Sequence, residues 1–206
     1  MAKYNIFISY RRSGYDGKES GTYIARTIKQ QLEISRNKKD VFFDYSEMTN
    51  DNFEKVILKA IKSSKIFISI LTRDAMLRCN TPTDWVRREI IQAKNCGLKL
   101  IFINPDDQFN NEYPEEFPEE LAFIKSVPKI TIHTDNRFNK DIDNLINNEL
   151  NLVLNKLSVK KETSEKIGCS IMILSIIVGV LTDWGWGLTL LVVLSAICGL
   201  CGFLSI

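Results

Sequence analysis

The chain has 206 residues, 45% of them hydrophobic and 25% charged, with a formal net charge of +2. So even a balance excludes nucleic-acid binding driven by bulk charge, and no nucleic-acid partner is expected. The five cysteines, Cys79, Cys96, Cys169, Cys198 and Cys201, are odd in number and scattered, which excludes a disulfide framework and a zinc pattern.

Met1-Ala2-Lys3-Tyr4-Asn5 runs straight into the first strand with no secretory leader, so the domain is expected to be cytosolic. Ile6-Phe7-Ile8-Ser9 is a short apolar, partly β-branched run closed by Tyr10-Arg11-Arg12-Ser13-Gly14, which reads as a buried strand and a functional loop. A helix follows with Ile24, Ile28 and Leu32 on one face, then a second strand at Val41-Phe42-Phe43 that Asp44 closes. The loop from Tyr45 to Asp51 leads to an amphipathic helix with apolar positions Phe53, Val56, Ile57, Ala60 and Ile61, and with Asn50 or Asp51 as N-cap. Ile66 to Leu71 is a nearly continuous apolar strand of the kind buried on both faces.

After a crossing from Thr72 to Pro82, a helix begins near Trp85 and ends at Cys96-Gly97, a glycine cap. Leu98 to Ile103 is the fourth strand, Asn104 to Pro118 a polar surface loop, and Lys129 to His133 a short fifth strand. His133, the chain's one histidine, ends that strand and is read as structural or solvated. The last helix carries Ile142, Leu145, Ile146, Leu150, Val153 and Leu157. Strands alternating with helices predict a flavodoxin-like α/β fold: a five-stranded parallel sheet with helices on both faces.

In such sheets ligands bind outside the carboxyl ends of the strands. Tyr10, Arg11 and Arg12 follow the first strand, Asp44 the second and Thr72 the third, and the helix of Trp85 starts on the same edge. Trp85 and Glu89, four residues apart, share a helix face and can flank one small ligand. Val86, Ile90 and Ala93 form the neighbouring apolar stripe, which places Glu89 beside the buried face, where a carboxylate is held rigidly and partly desolvated. The competing assignment makes Glu89 a surface residue paired with Arg87 or Arg88, and Trp85 a core aromatic. The convergence of two cations, a carboxylate and an aromatic on one rim favours the site.

Three segments in order carry a family resemblance: Ile6-Phe7-Ile8-Ser9-Tyr10-Arg11-Arg12, Val41-Phe42-Phe43-Asp44 with the loop to Phe53, and Asp84-Trp85-Val86-Arg87-Arg88-Glu89-Ile90. Across residues 3–157 the chain resembles the TIR domain family. Its third segment is more similar to NAD-consuming members, animal and bacterial-defence, than to adaptor members. The resemblance implies that Glu89 is the catalytic glutamate and Trp85 a wall of the nucleotide pocket. It also implies that Arg11 or Arg12, Asp44 and Phe53 line the pocket or its covering loop, with Tyr10 on the same rim. Adjacent residues of an extended segment point opposite ways, and the sequence leaves open which arginine faces the pocket. Where many relatives carry a glycine before the loop phenylalanine, this chain has Asn50-Asp51-Asn52-Phe53. NAD+ is then the substrate, with no further cofactor and no metal, and self-association through TIR domains completes the site.

The chemistry suits these residues. Cleaving the nicotinamide bond passes through an oxocarbenium-like ribose, and a fixed carboxylate beside the developing charge meets the same electrostatic need as in glycosidases. An aromatic plane can stack on a flat ring, and an arginine can hold a pyrophosphate.

Between Ile167 and Ile206 the only formal charge is Asp183. Residues 1–157 therefore form one domain, 158–166 a polar linker, and 167–206 a predicted transmembrane hairpin with helices at about 167–182 and 188–206. At 1.5 Å per residue these runs span about 24 and about 28 Å. The nine Ile, Leu and Val residues of the first run favour insertion by roughly 4 kcal/mol, and the eleven Ile, Leu, Val and Phe residues of the second by about 5 kcal/mol. Trp184 and Trp186 fit an interfacial belt, Lys156, Lys160, Lys161 and Lys166 keep the linker cytosolic, and Cys198-x-x-Cys201 reads as packing. The sequence thus predicts a membrane-anchored NAD+ hydrolase or cyclase, by resemblance an antiphage effector at a bacterial inner membrane. The rival readings are a non-catalytic TIR adaptor recruiting partners at the membrane, and a membrane-disrupting hairpin gathered by TIR assembly.

Overall fold

The computed structural model describes residues 4–12, 21–35, 40–43 and 53–155. Contacts divide the chain at Val153/Leu154, and the architecture below is that of the first unit. The expected loop from Tyr45 to Asp51 with its N-cap, the linker at 158–166 and the hairpin at 167–206 lie outside the described residues. Among the described residues no helix is long and apolar enough to cross a membrane.

Five parallel strands, β1 (Ile6–Tyr10), β2 (Val41–Phe43), β3 (Ile66–Ile70), β4 (Lys99–Pro105) and β5 (Lys129–Ile132), lie in the order β2-β1-β3-β4-β5. This is the expected flavodoxin-like order, whose switch point falls between β1 and β3. Helices α1 (Thr22–Ser35), α2 (Phe53–Ser63), α3 (Trp85–Asn95) and α4 (Phe138–Leu145) complete the described layers.

The sheet's two faces differ in chemistry, because β1 and β3 both read Ile-Phe-Ile-Ser and pair in register. Alternation sends the phenylalanines and serines to one face and the isoleucines to the other. On the first face Phe7 stacks on Phe42 at 5.1 Å and on Phe67 at 5.5 Å between ring centres. This aromatic ladder packs against α2 and α3 through Ile57, Ile61, Val86 and Ile90. The isoleucine face is covered by α1 and α4, which contact β1, β2 and β5. On α1 the buried positions are Ala25, Ile28 and Leu32, while Ile24 is only half-buried.

Three features depart from the sequence expectations. β4 continues through Asn104 and Pro105, which pair with Thr131 and Ile132 of β5. The Asn104 carboxamide oxygen accepts from the Phe109 amide at 2.8 Å and its nitrogen donates to the Phe109 carbonyl at 3.3 Å, folding the next loop back. Asp106, Asp107 and Asn111 in that loop take positive φ, which short polar side chains tolerate. Residues Glu119–Lys125 form a 3-10 helix after Pro118, burying Leu121 and Ile124 three positions apart. Beyond α4 the chain makes a π turn at Ile146–Leu150. The wider turn rotates the following face, so Val153 is half-buried instead of joining Leu145, Ile146 and Leu150 in the core. His133 follows β5, where Asp141 Oδ2 accepts from its amide at 3.0 Å and meets Nδ1 at 2.6 Å, a structural pairing at the start of α4.

Candidate active site

The site is assembled where β1 runs out beneath the first turns of α3. Asp84 caps α3, its side chain accepting from the Arg87 amide at 3.0 Å. Gly97, at φ 69°, closes the other end in the left-handed conformation that glycine adopts without penalty. Val86, Ile90 and Ala93 are buried as the apolar stripe requires, and Glu89 is buried with them at 9% exposure.

Glu89 is thus no surface residue. The hydroxyl of Ser9, a residue only 2% exposed, donates to Glu89 Oε2 at 2.6 Å. The two arginines that could have paired with Glu89 have other partners. Arg87 binds Glu120 Oε1 through Nη2 at 2.6 Å and the Asn80 carbonyl through Nη1 at 2.9 Å. Arg88 pairs with Glu54 and lays its guanidinium 4.5 Å from the centre of the Trp85 ring.

Arg11 is the buried cation of the site, at 4% exposure. Its Nη1 and Nη2 make a bidentate pair with Asp84 at 2.8 and 3.1 Å, and its Nε donates to the Ala75 carbonyl at 2.7 Å. Burial opposes the charge on Asp84, but the Arg11 hydrogen bonds and charge, helped by the Arg87 amide, outweigh it and hold the carboxyl below its ordinary value. Cys79 lies in the same cluster, and burial, followed by the charge of Asp84, pushes its thiol up to about 12. It is protonated at neutral pH and is not a nucleophile. Gly21, just before α1, abuts Arg11: a Cβ there would sit 2.5 Å from the Arg11 carbonyl oxygen, so the close approach requires glycine.

A cleft of about 400 Å³ opens over these groups, lined by Ser9, Tyr10, Arg12, Asp84, Trp85 and Glu89 among others. Its volume lies within the range of small-molecule sites, about 300–1,000 Å³. Arg11 also borders it, although its guanidinium is turned to Asp84 and Ala75. Arg12 is half-buried on the wall. Trp85 is half-buried and both lines the cleft and packs against the phenylalanine core, so the two assignments made for it from sequence are compatible. The Tyr10 ring stacks on Phe43 at 5.3 Å. Phe53 opens α2, but its side chain, like all of Asp44, is outside the described residues. Thr72 is buried, and its carbonyl accepts from the Ala75 amide.

Sequence reasoning missed Ser9, Arg78 and Thr83 as lining residues. Ser9 was open to detection, since alternation from Phe7 puts its hydroxyl on the buried face; Arg78, in the turns before α3, carried no signal. Among the described residues no cluster of His, Cys, Asp and Glu could hold a metal ion.

No protein-family model matches the sequence. Individual proteins do. The chain is 34% identical over 128 residues to NAD(+) hydrolase sarm1 of Drosophila melanogaster, covering 60% of this chain and 9% of that protein. The chain resembles NAD(+) hydrolases. It is 34% identical over 126 residues to NAD(+) hydrolase tir-1 of Caenorhabditis elegans, covering 58% and 12% of the two chains. It is 27% identical over 123 residues to NAD(+) hydrolase SARM1 of Danio rerio, covering 58% and 16%. The match thus spans less than a fifth of each relative's length. These similarities support the TIR reading of the sequence. A solved structure of the TIR domains of the activated Roq1 resistosome aligns with 70% of this chain and 98% of its own, at 15% identity and a TM-score of 0.48.

Proposed function

We propose that the chain is a TIR-type enzyme that hydrolyses NAD+ at the nicotinamide–ribose bond. The observation that carries this reading is the buried Glu89 carboxylate, held by Ser9 at the carboxyl edge of the sheet in a cleft it shares with Trp85. The similarity to three proteins named as NAD(+) hydrolases supports the choice of substrate.

In this reading the C1′–N bond breaks with its electron pair leaving on nicotinamide, which departs neutral and needs no acid. Glu89 stabilises the ribosyl cation, and water attacks C1′ and loses a proton, giving ADP-ribose. Capture by the adenine ring instead gives a cyclic product from the same first step. Trp85 walls the pocket for a flat ring. Arg12, on the cleft wall, is assigned the pyrophosphate, with Arg11 holding Asp84 and the Ala75 carbonyl and with Tyr10, Asp44 and Phe53 on the rim.

The wider proposal rests on the sequence: segments 167–182 and 188–206 anchor the chain in a bacterial inner membrane, the TIR domain at 1–157 faces the cytosol, and self-association switches on an antiphage effector. The test is cellular NAD+ after induction of the full-length chain or Glu89→Ala, with a membrane-potential dye in the same cultures and a parallel phage challenge. NAD+ should fall in the wild type alone, and product masses separate hydrolase from cyclase. Depolarisation by both proteins with NAD+ unchanged would assign the activity to the hairpin, and function retained by Glu89→Ala without NAD+ loss would make the domain an adaptor.

A further inference from the structure

We infer that the end of β1, with Arg11 just beyond it, grips α3 and its N-cap at two points, and that Ser9 is a positioning residue that sets the orientation and charge of Glu89. The inference deepens the proposed hydrolase reading and rests on it for its kinetic arm.

Ser9 and Arg11 are two residues apart on an extended segment, so they lie on the same side about 6.6 Å apart. Their partners are Asp84, the N-cap of α3, and Glu89 five positions on in the helix, an advance of about 7.5 Å along the helix axis. The near match of these repeats lets one strand end hold both carboxylates at once: Arg11 takes Asp84 with two nitrogens at the cap, and Ser9 takes Glu89 at 2.6 Å one turn deeper. The outer contact fixes the phase and depth of the helix. The inner contact fixes the carboxylate itself. Ser9 is only 2% exposed, so solvent competes little for its hydroxyl, and the hydrogen bond it donates to Oε2 favours the charged form of the acid.

Ser69 supplies an internal control. On β3 it pairs in register with Ser9, is as fully buried, and its hydroxyl has no hydrogen-bond partner among the described residues. A generic need for a small polar residue on this face would make the two serines equivalent. Positioning makes them different.

The experiment compares the full-length wild type with Ser9→Ala, Ser9→Thr, Ser69→Ala and Glu89→Gln. One readout is the pH dependence of kcat and KM for NAD+. The other is the carboxyl titration of Glu89 by carbon-13 NMR of glutamate-labelled protein, assigned by the signal that Glu89→Gln removes. Ser9→Ala should lower kcat roughly 10-fold to 100-fold, the equivalent of one lost hydrogen bond to a charged group, with KM little changed. Its acid limb and its carboxyl titration should both move to higher pH. Ser9→Thr, which keeps the hydroxyl, should recover most of the rate, and Ser69→Ala should match the wild type. A Ser9→Ala protein with unchanged kcat and unchanged titration overturns the inference while leaving the hydrolase reading intact. Absence of NAD+ cleavage in every protein instead defeats the hydrolase reading, and the titration alone then decides whether Ser9 controls Glu89.

Discussion

Arg11 and Asp84 show what the site costs the protein. Arg11 is buried and the side chain of Asp84 is largely covered, so the pair is useful only while both members are present. Arg11→Ala strands the Asp84 carboxylate and should lower unfolding stability by about 3–5 kcal/mol in urea titration. The pH dependence follows from the same pair. The folded-state carboxyl of Asp84 lies below its ordinary value of 3.8, so the stabilisation is complete above that value and is lost as pH falls through the folded value. Asp135 and Asp141 shift in the same direction beside Arg137 and His133, so the contribution of Asp84 has to be isolated by substitution. Between pH 5 and pH 2, Asp84→Asn should start less stable and lose less stability than the wild type, and parallel curves would contradict the assignment. At this scale the sequence was informative where chemistry is local: helix spacing puts Trp85 and Glu89 on one face, while their place in a site came from the convergence on one rim and from the family resemblance. It was silent on which arginine faces the cleft, because that is decided by Asp84, Ala75 and Cys79, residues more than sixty positions away.

The elements that carry the site are held by the phenylalanine face of the sheet. Phe67 is fully buried, stacks on Phe7 and lies beneath the helices that position Glu89. Phe67→Ala should cost about 3–5 kcal/mol, and denaturant unfolding measures it. The strands and α1 to α4 were legible because their apolar periods are strong and their ends carry Asp84, Gly97 and other stop signals. The 3-10 helix at Glu119–Lys125 was not, since one turn with two buried positions is too short to show a period. The π turn at Ile146–Leu150 was also hidden, because Leu150 and Val153 fit an uninterrupted helix equally well on paper.

For the whole molecule, the order β2-β1-β3-β4-β5 explains why the chemistry gathers where it does. Crossovers leave β1 and β3 in opposite directions, and the gap they leave at the carboxyl edge admits a ligand. That topology was readable from the alternation of strands and helices before any residue role was assigned. Ser9, Trp85 and Glu89 then lie on neighbouring elements at one rim, although 80 positions separate the first and last in the chain. The central claim is that Glu89 performs the chemistry there. The direct measurement is nicotinamide released from NAD+ by the purified full-length chain, reconstituted in lipid and concentrated to favour assembly, beside Glu89→Gln. The amide oxygen can still accept from Ser9, so the variant should keep its fold and its denaturation midpoint while losing the charge. The account predicts one nicotinamide per NAD+ consumed by the wild type and a rate lower by roughly 10²-fold to 10³-fold or more in Glu89→Gln. Equal release by the two proteins, or none from the assembled wild type, would contradict it.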